Sequence, residues 1–101
     1  MKESALFLAE GFEEIEAITV IDVLRRAGVP IKTLSITSRL QVKGAHGIVV
    51  EADTTFDTVA MDDFDFLILP GGMPGTKHLG ENKKLNDWLL AHAEKGGHVA
   101  A

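Results

Sequence analysis

The sequence predicts an α/β domain built on a mainly parallel sheet, and three observations carry that prediction. Ala5-Leu6-Phe7-Leu8-Ala9 and Phe64-Asp65-Phe66-Leu67-Ile68-Leu69 are short, dominantly apolar runs of the kind expected of strands buried on both faces. Helical patterning follows each run. Each run also ends in a distinctive loop, Glu10-Gly11-Phe12-Glu13-Glu14-Ile15-Glu16 after the first and Leu69-Pro70-Gly71-Gly72-Met73-Pro74-Gly75 after the second. Two such strands in one sheet would bring a carboxylate and a set of bare backbone amides together at its carboxyl edge.

The elements follow in order. After the first strand, Glu14 to Ala27 reads as a helix, with Arg25 and Arg26 in the last turn suiting its dipole and Gly28 at the C′ position. Ile15, Ala17, Ile18, Val20, Ile21, Val23 and Leu24 cover well over half of its circumference, which predicts burial on two sides, by its own sheet and by something else. Pro30 to Ile36 is the second strand. Arg39-Leu40-Gln41-Val42-Lys43 and Ile48-Val49-Val50-Glu51-Ala52 alternate around Gly44-Ala45-His46-Gly47 as a hairpin. Thr55 to Asp63 has weak periodicity, with room for a turn of helix, and precedes the strand at 64–69. A second helix runs from Asn82 or Lys83 to Lys95, with Leu85, Trp88, Leu89 and His92 on one face and Gly96-Gly97 ending it. His98-Val99-Ala100-Ala101 begins a last strand, expected to lie centrally in the sheet. No internal repeat, low-complexity tract or linker interrupts the chain.

Parallel crossovers are right-handed in nearly all cases. If the first leaves the strand at 5–9 in one direction and the second leaves the strand at 64–69 in the other, their helices lie on opposite faces. The two strands then flank a switch point, where open α/β sheets form their binding crevice, and both loops open onto it.

Composition narrows the function classes. With 46% hydrophobic and 25% charged residues, the 101-residue chain reads as globular rather than disordered. No apolar run approaches the roughly 20 residues of a membrane span, and Met1-Lys2-Glu3-Ser4 leads into too short an apolar run for a signal peptide, so the default location is cytoplasmic. The net charge of -5 is dispersed and Arg25-Arg26, Lys32, Arg39 and Lys43 form no dense basic tract, which argues against nucleic acid as a partner. The absence of cysteine excludes disulfides, thiolate metal sites and a cysteine nucleophile within these residues. No histidine pair has the spacing of a helical zinc motif.

The chemistry-bearing residues admit two readings each. Glu13, Glu14 and Glu16 crowd a first helical turn, where carboxylates gain about 0.3 to 1 kcal/mol from the dipole. Capping accounts for that, but three acids in four residues exceed what capping needs, and one can enter the crevice as an acid or base. The expectation is that Glu16 is the buried one and that Glu13 and Glu14 are more exposed. Gly71 and Gly72 either make a tight turn or let amides converge on an oxyanion. The loop is neither a P-loop nor a dinucleotide fingerprint. His92 and His78 read as structural or surface residues, whereas His46, in its glycine-flanked turn, is a candidate for an interface or pocket rim.

Gly11-Phe12-Glu13-Glu14-Ile15-Glu16-Ala17, Asp22-Val23-Leu24-Arg25-Arg26-Ala27-Gly28, Ala45-His46-Gly47-Ile48 with Asp53, Leu69-Pro70-Gly71-Gly72 and Gly97-His98-Val99-Ala100-Ala101 stand in the order and spacing of the ThiJ/PfpI family. The resemblance runs the length of the chain and covers the amino-terminal half of such a protein, so residues 1–101 are expected to be the amino-terminal part of a single domain. It implies a flavodoxin-like parallel-sheet sandwich of the glutamine-amidotransferase type, incomplete as given. It also implies a nucleophilic cysteine just after Ala101, with Glu16 as its acidic catalytic partner and Gly71 and Gly72 in the oxyanion-binding backbone. His46 and Arg26 are assigned by it to a dimer interface or pocket rim. Two positions depart from some relatives: Glu51 stands where they carry a peripheral cysteine, and His46 where they carry an arginine.

The function implied is a cofactor-independent, metal-free cysteine enzyme acting on small reactive carbonyls, of the glyoxalase or deglycase kind. The alternatives are an oxidation sensor or holding chaperone using the same thiol without turnover, and a peptidase or amidase of the same fold. A homodimer is expected, with the first helix near the two-fold axis and the hairpin around His46 close to the partner's site. A complementary carboxy-terminal segment is expected to complete the fold, since Ala101 would otherwise leave the sheet uncovered on part of each face and the piece poorly stable alone.

Overall fold

The computed structural model describes residues 3–73 and 75–100, the side chains of 61 and 76 excepted. Pro74 of the second loop and Ala101 of the last strand lie outside the described residues. In chain order the elements are β1 (Glu3–Leu8), α1 (Glu14–Arg26), β2 (Ile31–Ser35), β3 (Gln41–Lys43), β4 (Val49–Glu51), β5 (Thr54–Thr55), β6 (Phe64–Ile68), α2 (Gly75–Glu81), α3 (Lys83–Glu94) and β7 (His98–Ala100). Single 3₁₀ turns at Phe56–Thr58 and Met61–Asp63 link β5 to β6. Five strands form a wholly parallel sheet in the order β5-β2-β1-β6-β7, and β3 and β4 form a separate antiparallel hairpin.

The order places β1 between β2 and β6, so the chain leaves β1 in one direction and reaches β6 on its other side. The alternation of β1 shows the consequence. Leu6 and Leu8 pack with Ala17 and Ile21 of α1 on one face, whereas Ala5 and Phe7 pack with Leu67, Leu79 and Leu85 on the other, beneath α2 and α3. Phe7, Phe56 and Trp88 meet edge to face on that second side, at centroid separations of 5.7–6.3 Å. The helices thus cover opposite faces and the switch point falls between β1 and β6, as the crossover argument requires.

Helix starts and stops follow their local chemistry. The Glu13 carboxylate accepts the Ile15 N–H at 2.9 Å and Asn82 accepts the Leu85 N–H at 2.9 Å, so both long helices are capped by side chains. Gly28 and Gly96, both at φ +78°, follow the helix ends in the left-handed conformation.

Several elements depart from expectation. α1 ends at Arg26, and Ala27 is its cap. The sheet covers the helix's stripe of Ala17, Val20, Ile21 and Leu24, and the outer apolar residues Ile15, Ile18 and Val23 form the second side, exposed in the single chain. Thr54 and Thr55 form a short strand against β2, and Gly75–Glu81 forms a helix of its own. Among the described residues β7 pairs with β6 and is the outermost strand on that side. Asp65 and Phe66 of β6 are exposed, so that strand is not buried throughout.

Candidate active site

Because β1 and β6 are parallel neighbours, the loops at 9–13 and 69–73 emerge at the same sheet edge. Hydrogen bonds from backbone N–H groups lace them together. The Glu13 N–H donates to the Gly71 carbonyl at 2.8 Å, the Gly75 N–H to the Gly11 carbonyl at 3.1 Å, and the Gly71 N–H to Glu16 Oε1 at 3.1 Å. The structure therefore brings Glu16, Gly71 and Gly72 into one constellation. Glycine is required at Gly72: φ is +104°, and a Cβ there would sit 2.5 Å from the Glu13 nitrogen and 2.8 Å from the Gly11 oxygen. Among the described residues the Gly72 N–H has no hydrogen-bond partner, which leaves it able to donate to a developing negative charge.

The expected order of burial among the acids is reversed. Glu14 is buried, at 5% exposure, and Glu16 is exposed. Residues two apart on a helix point about 200° apart, so the two cannot share an environment. The choice between them is made by Gly44 in the β3–β4 turn, whose missing side chain leaves the space that the Glu14 carboxylate occupies. There Glu14 Oε2 accepts the N–H groups of His46 at 2.7 Å and Ile48 at 3.4 Å, and Oε1 pairs with His46 Nδ1 at 2.8 Å. Burial acts to raise the Glu14 carboxyl. The hydrogen bonds from the His46 ring and from the amides of Glu14 itself, His46 and Ile48 outweigh it and bring the group down from 4.5 to about 2. His46 is raised above 6.5, chiefly by its bond to Glu14 and the charges of Glu14 and Glu13. Glu14 is thus a carboxylate at neutral pH that fastens the hairpin to the start of α1.

The remaining candidates separate. His46 lies beside the N-terminal end of α1 with its side chain 68% exposed, lining a hollow of about 340 Å³ with Glu13, Glu14, Ile15 and Ile48. Arg26 is at the other end of the helix, exposed and paired with Asp22 at 2.9 Å, so it does not rim the crevice. Glu13, Glu14 and His46 offer ligand atoms within 4.8 Å of one another, but the Glu14 oxygens and His46 Nδ1 are already bonded to each other, which makes the group an ion pair rather than an open coordination site. His92 is buried with Nε2 on the Asp65 carbonyl at 2.9 Å, a structural contact. The role of Glu14 was missed in the sequence; its signal is Gly44, a glycine 30 residues away in the hairpin turn.

The model of the DJ-1/PfpI family matches residues 2–101. Protein dj-1beta of Drosophila melanogaster is 39% identical over 102 residues, covering 100% of this chain and 54% of that protein. A deglycase of Thermococcus kodakarensis is 39% identical over 87 residues, covering 86% of this chain and 49% of its own length. The solved structure of oxidized DJ-1 from Toxoplasma gondii superposes with a TM-score of 0.93 at 32% identity, over 99% of this chain and 55% of that one. The chain spans about half the length of these relatives.

Proposed function

Because the chain belongs to the DJ-1/PfpI family, we propose that the complete protein is a cysteine-dependent, cofactor-independent enzyme acting on small reactive carbonyls, of the glyoxalase or deglycase kind. The observation that carries this reading is the 3.1 Å contact from the Gly71 N–H to Glu16 Oε1 across the switch point, beside the Gly72 amide. The naming of one relative as a deglycase supports the same class.

In this reading residues 1–101 are the amino-terminal part of a single domain, and the nucleophile belongs to the segment that follows. Glu16 takes the thiol proton, the thiolate adds to the aldehyde carbon as the carbonyl π pair moves to oxygen, and Glu16 returns that proton to the alkoxide to give a hemithioacetal. The Gly72 N–H holds the developing oxyanion, whereas the expected contribution of Gly71 is redirected, its N–H being committed to Glu16. The open apolar hollows between α1 and β6–β7, of about 410 and 540 Å³, support a complementary segment as their cover: Val20, Ile68 and Ala100 line both. Exposed Ile15, Ile18 and Val23 support a homodimer through α1, with His46 near the partner's site and Arg26 along the same helix. The default location remains cytoplasmic.

The test is methylglyoxal turnover by the complete protein without glutathione. Turnover that disappears in Glu16→Gln, with a raised thiol pKa, supports the assignment. An unchanged thiol pKa and rate in that variant overturn the role of Glu16. A second reading, an oxidation sensor without turnover, is favoured by the oxidized state of the Toxoplasma gondii relative. Absence of turnover together with reversible thiol oxidation would select it.

A further inference from the structure

We propose that His78 is a positioning residue for the crevice, acting through an Nδ1–H donor to the backbone of the β1–α1 loop. His78 Nδ1 lies 2.9 Å from the Glu10 carbonyl oxygen. A carbonyl oxygen can only accept, so the ring proton resides on Nδ1, the less common tautomer of a free imidazole, and Nε2 is left bare when the ring is neutral. One helical turn earlier, the Gly75 N–H donates to the carbonyl of Gly11. Two successive carbonyls of the loop therefore receive donors from the first turn of α2.

On its other side the same loop is held by the hairpin. The Gly11 N–H donates to the Lys43 carbonyl at 2.8 Å, and the Lys43 N–H donates to the Glu10 carboxylate at 3.3 Å. The α2 side is the weaker hold, because Gly75–Glu81 has two glycines and only seven residues. Gly75 packs directly on the loop: a Cβ there would stand 2.8 Å from Gly11 carbon and oxygen, so only glycine lets α2 approach this closely. His78 supplies the side-chain hold that keeps it there. The Gly71–Glu16 contact and the direction of the Gly72 N–H are then set from both ends, by Glu13 on the β6 side and by His78 on the α2 side. The kinetic consequence rests on the catalytic reading above; the structural one does not.

The test uses the complete protein. Long-range proton–nitrogen NMR of His78 in the parent should give the Nδ1-protonated tautomer, and an Nε2-protonated ring overturns the proposal. In His78→Ala, amide exchange at Gly71 should accelerate about five- to tenfold, the loss of one partly buried hydrogen bond. His78→Asn, whose amide can occupy the Nδ1 position, should restore slow exchange, whereas His78→Gln, which reaches the Nε2 position, should not. Unchanged exchange in His78→Ala, or equal rescue by both amides, overturns the proposal. If these results hold and the parent still turns over no carbonyl, it is the catalytic reading that fails, while the positioning role stands.

Discussion

Replacing Gly72 by alanine would strain the crevice in two independent ways. At φ +104° an L-residue leaves its favoured regions, at a cost of about 1–2 kcal/mol. The new Cβ would also meet the Glu13 nitrogen at 2.5 Å, the Gly11 oxygen at 2.8 Å and the Phe12 carbon at 2.9 Å, all backbone atoms that cannot swing aside like a side chain. Forcing a methyl group into such a space costs about 1–3 kcal/mol. The sum, about 2–5 kcal/mol, is a large share of a stability of about 5–15 kcal/mol. For a protein of the relatives' size it lowers Tm by roughly 4–20 °C. Gly80→Ala is the control, since Gly80 has nothing within 4 Å of a Cβ and no positive φ, and sits in helix α2; it should stabilise by about 0.5–1 kcal/mol. Thermal and urea unfolding of the complete protein measure both. A Gly72→Ala variant within about 0.5 kcal/mol of the parent, the scatter of neutral surface substitutions, would refute the close-approach argument.

The Glu14–His46 pair predicts a pH profile. Glu14 is held at about 2, below its ordinary 4.5, so its contribution is complete above pH 4.5 and lost as pH falls toward 2. His46 is raised above 6.5, so its contribution is present below 6.5 and fades as pH rises through its folded value. Urea midpoints of Glu14→Gln should therefore lie below the parent's most clearly between pH 4.5 and 6.5, and the two curves should converge near pH 2. Asn82→Ala removes the cap on Leu85 and should cost about 1 kcal/mol in urea unfolding, with turnover unchanged. Ile15→Asp places a charge in the exposed apolar stripe of α1, where Ile15 is 76% exposed. Sedimentation should show a dimer for the parent and a monomer for the variant, and an unshifted dimer would remove α1 from the interface.

The parts of the fold legible in the sequence are those fixed locally. β1 announces itself by five consecutive apolar residues, α1 by its acids, its basic last turn and Gly28, and the hairpin by alternation around Gly44-Ala45-His46-Gly47. β5 has only Thr54 and Thr55 and therefore no period; it exists because β2 offers a free parallel edge. α2 has two glycines in seven residues, and it folds because Gly75 and His78 bond to a loop more than 60 residues earlier in the chain. The constellation of Glu16 with Gly71 and Gly72 follows from the loop-after-strand pattern. The burial of Glu14 does not, because helical spacing says that Glu14 and Glu16 face apart without saying which one meets the cavity at Gly44.

The ties made by the β1–α1 loop impose an order of assembly on a chain synthesised from its amino end. The α1–hairpin fastening joins Glu14 to His46 and needs nothing beyond the hairpin, whereas the Gly71, Gly75 and His78 ties need residues that emerge later. β1 meanwhile presents its edge to β6 with nothing paired there until residues 64–68 arrive, and its exposed apolar row is then the segment most open to wrong partners. Closing the separation between β1 and β6 is a slow, non-local step. The crevice thus waits for residues 64–78, and a nascent chain halted before β6 should carry a docked hairpin and an unformed crevice.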